Sequence, residues 1–379
     1  MSLVQAEPAC EHSSQTKGVF QGSQSPCASP TTDRSSLSSG GSPASTRSSP
    51  AQYCQLADYQ HQFPYIKGFT AIALRHEPPD PFDPRFSDDY SPEKLADLDS
   101  MSQAELCMAY PPLPGHTIHD QTMALTITSI IRTGQTKGAQ VVIVNDSHVA
   151  KLYDPLYYDS SEDSDVVTMA DQAYSSEAAA YAHLQNFPEV SYLLPKFHGS
   201  WTIKLPAPAN ADKPSSQKSR EVRLILIEHL QGICMRQFNS ETISEHARSV
   251  ILAQCLDAEV RILFTGLQHG DYVPRNIILQ GSDYQTPEIQ VKVIDFNLSQ
   301  LIIHPNYPRQ RFAKKWKLAR DKWAPKPQNP VARFMQLDDF ARLGWCSQDW
   351  DEMRDWLRDT FGHDERYRPV CCDTGKRNA

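Results

Sequence analysis

The segment from His269 to Phe296 limits this chain's options more than any other. It reads His-Gly-Asp-Tyr-Val-Pro-Arg-Asn, then Ile277-Ile-Leu-Gln, then the polar turn GSDYQTPEI, then Val291-Lys-Val-Ile-Asp-Phe. Two short β-branched runs around a Gly- and Asp-containing turn predict a hairpin. A hairpin returns the chain to where it started. Asp295, at the end of the second run, is therefore expected beside Asp271 and Asn276, which precede the first. Three oxygen-bearing side chains converge there, and the apolar runs beside them need a core to bury them. With 379 residues, the chain is long enough to build one.

The rest of the chain falls into stretches of different character. Residues 1–50 hold 14 Ser, 5 Pro and 4 Gly with no recurring apolar face, which predicts a disordered tail. Residues 51–116 are Pro-punctuated and predict a partly ordered arm, with one short helix over SPEKLADLDSMSQAEL starting at Ser91 as N-cap. From about 117 the pattern turns to strands. TMALTITSIIR, VVIVN and HVAKLYD predict an antiparallel meander, and YLLPKFHGSWTIKL and EVRLILIEHL add two more strands. A helix over VVTMADQAYSSEAAAYAHLQN follows the third strand. Beyond Leu230, long apolar faces in SETISEHARSVILAQCLDAEVRILFTGL and three later Trp-containing segments predict mainly helix. The expectation is an α+β chain: five antiparallel strands with one helix over 117–230, then a mostly helical half over 231–370.

Composition excludes several classes. No run approaches the roughly 18 apolar residues of a membrane helix. No basic-then-apolar leader opens the chain, and nine scattered Cys do not form a disulfide framework, so a cytoplasmic or nuclear, intracellular location is expected. The balance of 37 Lys+Arg against 45 Asp+Glu, net −8, argues against nucleic acid as the general partner. Oligomeric state is not legible.

The residue types at 269–296 suit phosphoryl transfer. One carboxylate orients the attacking hydroxyl, and oxygens from two further residues hold Mg²⁺ on nucleotide phosphates. The segment resembles the catalytic core of the protein kinase-like superfamily, with its His-x-Asp-x-x-x-x-Asn loop and Asp-Phe metal loop. The resemblance implies a two-lobed fold in which Asp271 is the catalytic base, Asn276 a catalytic-loop metal ligand and Asp295 the principal metal ligand. It implies ATP and Mg²⁺ as cofactors. Upstream, Val149-Ala150-Lys151 resembles the nucleotide-anchoring strand, and Glu177 in the following helix would pair with Lys151. Glu228, after the strand 222–227, would open the adenine-contacting hinge, and Gly134 and Gly138 would punctuate the phosphate loop.

The departures are as specific as the matches. Gly270 replaces the Arg that reads an activation-loop phosphate, and Asn297 follows Asp295-Phe296 where protein kinases have Gly. No Ala-Pro-Glu follows. Val273 stands where Ser/Thr protein kinases carry Lys, which points toward a small acceptor, while Arg275 matches tyrosine kinases. His-Gly-Asp is similar to aminoglycoside and choline phosphotransferases, and HGDYVPRNI resembles a group of fungal kinase-like proteins. Two functions follow from the resemblance: transfer of phosphate to a hydroxyl of a small molecule or protein, or a silent pseudokinase acting as a scaffold. The basic stretch 309–322 has a functional reading, steering an anionic substrate or closing over phosphates, and a plain one, a helix with a solvated basic face and Trp316 turned inward.

Overall fold

The structure is a computed structural model that describes residues 63–86, 92–160, 165–208, 219–286, 288–334 and 337–370. The tail at 1–50, the Ser91 cap and most of the acidic loop after Ser160 lie outside these residues.

The first lobe is built on a closed antiparallel barrel. Its strands are β1 (Thr70–Glu77), β2 (His116–Arg132), β3 (Gln140–Val144), β4 (His148–Tyr153), β5 (Phe197–Pro206) and β6 (Ser219–Glu228). The meander β2–β3–β4 and the β5–β6 pair are those expected. The strand number is not: there are six strands, because the arm contributes β1. It pairs along β2 from Thr70↔Thr126 to Glu77↔His116 and meets β5 at Leu74↔Thr202 and Arg75↔Trp201. A five-stranded sheet would leave the first half of β2 and one side of β5 without partners, and β1 supplies both. Closure rests on residues far apart in sequence, and local periodicity does not encode it.

The arm also corrects the single helix expected over 91–106. The chain forms α1 (Pro92–Ser100) and α2 (Gln103–Ala109). Ser102 separates them by capping the second: its Oγ accepts from Glu105 N, and the Glu105 carboxylate accepts from Ser102 N. This reciprocal box starts a new helix where one helix would otherwise run on. Both helices are tied to α3 (Val166–Leu184) and its approach. Lys94 Nζ lies 2.5 Å from Asp165 Oδ2, Gln103 donates to Pro155 O at 2.6 Å, and Leu113 N donates to Asp171 at 2.6 Å.

The second lobe centres on α4 (Glu245–Phe264), capped by Ser244, whose Oγ accepts from Ala247 N. The hairpin β9 (Ile277–Gln280) and β10 (Gln290–Val293) packs on it, with Val293 opposite Ile277, and β7 (Ile233–Cys234) pairs to β9. A second ribbon pairs β8 (Leu267–Gln268) with β11 (Gln300–Leu301). Helices α5 (Gln310–Trp323) and α6 (Trp350–Phe361) follow. Two buried apolar clusters result, one between barrel and α3, the other among α4, the hairpin and α6, and Tyr272 touches both. Each fully buried Leu or Ile contributes about 1.5–3 kcal/mol, so these clusters hold the polar loop between them in place. No helix among the described residues is long and apolar enough to cross a membrane.

Candidate active site

Strand alternation positions the first group. On β4, Ala150 and Leu152 join the barrel lining, which sends Lys151 and Tyr153 to the opposite face, under α3. Glu177 sits on the buried side of α3. Lys151 Nζ is 2.5 Å from Glu177 Oε2, and Tyr153 donates its hydroxyl to the same oxygen at 2.6 Å. Glu177 Oε1 accepts from Phe296 N at 3.3 Å, so the helix and the Asp295-Phe296 segment share one carboxylate.

Lys151 has a second partner, Asp295 Oδ1, also at 2.5 Å. One ammonium, buried together with Glu177, thus joins two carboxylates, of which Asp295 is partly exposed. Burial opposes the Asp295 charge, yet the ion pair and hydrogen bond from Lys151 outweigh it and hold that carboxyl below its ordinary range. Glu177 goes the other way: burial, reinforced by Asp295, raises it despite Lys151. For Lys151, burial is outweighed by the two carboxylates and its value is raised. Asp295 itself adopts φ +65°, a left-handed conformation that costs a non-glycine residue energy and aims its carboxylate at Lys151.

The hairpin does what its sequence predicts. Ile294 N donates to Asn276 O at 2.9 Å, which fastens the end of the second strand beside the start of the first. Asn276, buried, donates through Nδ2 to both Asp271 O and Asp271 Oδ2 at 2.9 Å. Arg275 Nη2 binds Asp271 Oδ1 at 2.7 Å and Oδ2 at 2.8 Å. His269 is structural: burial lowers its basicity, its Nε2 lies 3.0 Å from Ile294 O and its Nδ1 accepts from Asp271 N at 3.3 Å. It pins the loop to the hairpin.

Gly270 has a local cause. It has φ +81°, and a Cβ there would lie 2.1 Å from Leu298 O. The loop runs so close to the chain at Leu298 that no side chain, and so no Arg, fits at 270.

The two glycines of the first turn are placed differently from the polar residues. Gly134 N donates to Gln140 Oε1 at 2.7 Å and Gly138 N to Tyr157 O at 3.0 Å. Gln140, fully buried, returns bonds to Gly134 O and Gly138 O. Both glycine amides are therefore engaged within the protein. Glu228 stands opposite His148 at the end of β6, three residues along β4 from Lys151, or about 10 Å. Its backbone N bonds Lys196 O and its carboxylate accepts from Lys196 N. The structure thus gathers Lys151, Glu177 and Asp295 by direct contact and Asp271 with Asn276 by direct contact. Gly134, Gly138 and Glu228 bond elsewhere. Sequence reasoning passed over Tyr153 as Glu177's second donor. Its position two residues from Lys151, on the same strand face, was the available signal.

The donor set bears on a metal. Among the described residues no cluster of three or more His, Cys, Asp or Glu forms a cation cage. A carboxylate at 295 and an amide oxygen at 276 are hard oxygen donors, too few for a protein-only site. They suit Mg²⁺, which keeps waters and takes its other oxygens from nucleotide phosphates.

Comparison of the chain with protein-family profiles and with curated sequences returns no match. Among solved structures it is similar to a crystal structure of WbdD, at 12% identity and a TM-score of 0.34, covering 72% of this chain and 54% of that one. It is similar to the Rio2 kinase–ADP/Mg²⁺–phosphoaspartate complex from Chaetomium thermophilum, at 17% identity and a TM-score of 0.33, covering 64% of each chain. A third likeness is to the bifunctional kinase–methyltransferase WbdD, at 13% identity and a TM-score of 0.33, covering 69% of this chain and 50% of that one. The match spans less than two thirds of each of these proteins.

Proposed function

We propose that this chain is an ATP- and Mg²⁺-dependent phosphotransferase acting on a hydroxyl. The observation that carries the reading is the single ammonium of Lys151 bonded at once to Glu177 and Asp295, with Asp271 and Asn276 joined one hairpin away. Lys151 would hold the α- and β-phosphates, kept in place by Glu177, while Asp295 and Asn276 would hold Mg²⁺, which screens phosphate charge when bound. Asp271 would take the proton of the acceptor hydroxyl. The hydroxyl oxygen bonds to the γ-phosphorus, the bond from that phosphorus to the bridging oxygen breaks, and ADP leaves with the electron pair. The acceptor is a small molecule or a protein.

The pseudokinase reading has its own support: the amides of Gly134 and Gly138 are engaged internally, and Arg275 occupies both oxygens of Asp271. Thermal denaturation with and without Mg-ATP, in wild type and Asp295→Asn, separates nucleotide use from a silent fold. Nucleotide at about 100 times its dissociation constant adds about 2.7 kcal/mol. The Mg-dependent part of that shift should vanish in Asp295→Asn. A variant that responds fully removes Asp295 from the site, and a wild type that does not respond removes nucleotide binding altogether.

A further inference from the structure

We propose that α5 is the docking surface for an acidic stretch of a polypeptide acceptor, a proposal that rests on the phosphotransferase reading. Residues 309–322 carry seven cations (Arg309, Arg311, Lys314, Lys315, Lys317, Arg320 and Lys322) and one acid, Asp321, in a chain of net charge −8. Only Arg320 of the seven forms an ion pair among the described residues, with its neighbour Asp321. The other six cations are exposed, and none of them forms an ion pair among the described residues. No α5 residue is buried, so the charges are presented outward. Long-range Coulomb attraction to an acidic partner is the direct consequence.

The helix is fastened beside the chain that enters the Asp271 loop. Ribbon β8–β11 ties Leu267-Gln268 to Gln300-Leu301, and Ile302 N donates to Gly266 O at 2.8 Å. Gly266 leaves room for nothing larger: a Cβ there would lie 2.5 Å from Ile303 and 3.3 Å from Trp316, the residue by which α5 seats itself. Gln310 Nε2 bonds Pro305 O and Tyr307 O, both at 2.7 Å. Trp316 against Gly266 thereby sets α5 beside the strand that leads into His269 and Asp271.

Size and surface chemistry select among anionic partners. Fourteen residues of helix extend about 21 Å, longer than a small acceptor can span, and five of these cations spread over that length, with Arg309 at its N-cap, match an extended chain with several acids. Leu318 is 72% exposed amid Lys314, Lys315 and Lys322, and Phe312 is exposed too, which suits an acidic segment with interspersed apolar residues. Nucleic acid would want several free rings for stacking, but of the three rings on α5 only Phe312 is exposed, while Trp316 and Trp323 are half-buried with Arg320 and Lys322 over them at 5.2 Å. A bilayer would want a continuous apolar face, yet Ala313, Trp316 and Trp323 are partly covered and Leu318 stands alone among lysines.

The test uses the full chain and a fluorescent 15-residue peptide alternating Glu or Asp with Leu, followed by anisotropy at 50 and 300 mM NaCl. Binding should weaken at least tenfold at the higher salt. It should weaken at least tenfold again in Lys314→Glu/Lys315→Glu/Lys317→Glu/Lys322→Glu, whose Mg-ATP thermal shift should equal that of wild type. The milder Lys314→Gln/Lys315→Gln should shift affinity in the same direction by a smaller factor. Equal affinity in wild type and both variants overturns the proposal. So does tighter binding of a 15-mer of oligouridine or of phosphatidylserine vesicles, which would mean that α5 reads phosphate. A wild type that binds the peptide but ignores Mg-ATP keeps the surface and removes the phosphotransferase reading beneath it; a wild type that responds to Mg-ATP but ignores the peptide does the reverse.

Discussion

Arg275 grips Asp271 from the side, one guanidinium nitrogen within 2.8 Å of both carboxylate oxygens, while Asn276 holds one of those oxygens from the interior. The Asp271 carboxylate is oriented twice over, and its half-exposed Arg275 partner is the part free to move. Asp271→Asn keeps the loop's shape but loses the charge that would accept a proton in the proposed reaction. Mg-ATP affinity should stay within a few-fold of wild type, with phosphotransfer or background ATP hydrolysis lowered by roughly 10²-fold or more. Turnover unaffected by this change would remove the loop from catalysis.

Tyr153 is the second donor to Glu177 Oε2, and its loss should be felt at the site without unfolding it. Tyr153→Phe removes one hydrogen bond to a buried charged group, which costs about 1.5–3 kcal/mol. The melting temperature should fall accordingly, and kcat should drop more than the KM for ATP rises, because Lys151 keeps its direct contacts. An unchanged melting temperature would mean that Glu177 does not depend on the phenol.

Gly270→Ala should destabilise the protein strongly. The new methyl meets Leu298 O at 2.1 Å in a backbone conformation that already disfavours side chains. Left-handed geometry alone costs about 1–2 kcal/mol, and the clash adds to it. Urea midpoints of wild type and variant measure the sum, and a variant as stable as wild type would show that the loop can retreat from Leu298.

His76 predicts a pH dependence. It is buried with Nδ1 2.7 Å from the Tyr174 hydroxyl, and its pKa is lowered to about 3 by burial, then by Arg223 and His116. An unfolded chain takes up that proton near 6.5 and the folded chain only near 3, so folding stability falls as pH drops through this window. Between pH 7 and pH 5 the loss is about 2 kcal/mol. His76→Gln should flatten the profile over that range, as read by denaturant midpoints at the two pH values. A profile as steep as wild type's would assign the acid sensitivity to other groups.

Much of this architecture was legible because it depends on neighbours in the chain. The alternation of HVAKLY, the helical spacing before Leu184 and the two runs around GSDYQTPEI each specify an element, and hairpin geometry alone returns Asp295 to Asn276. The same logic predicted Lys151 on a strand and Glu177 on the next helix. The amino-acid sequence by itself therefore determined most of the elements from β2 onward and the hairpin that returns the chain to Asn276, but not β1.

Other features needed the folded chain. The barrel has six strands because Thr70–Glu77 satisfies the free edges of β2 and β5, a pairing across roughly 50 and 130 residues that no local pattern carries. The second bond from Lys151 to Asp295, the closure of Arg275 on Asp271 and the engagement of Gly134 and Gly138 by Gln140 and Tyr157 depend on which donors come within 3 Å after packing. The absence of a side chain at 270 is a letter in the sequence, but its reason, the carbonyl of Leu298, exists only once two distant segments touch. Short-range preferences choose elements; sterics and desolvation at contact decide which polar groups meet.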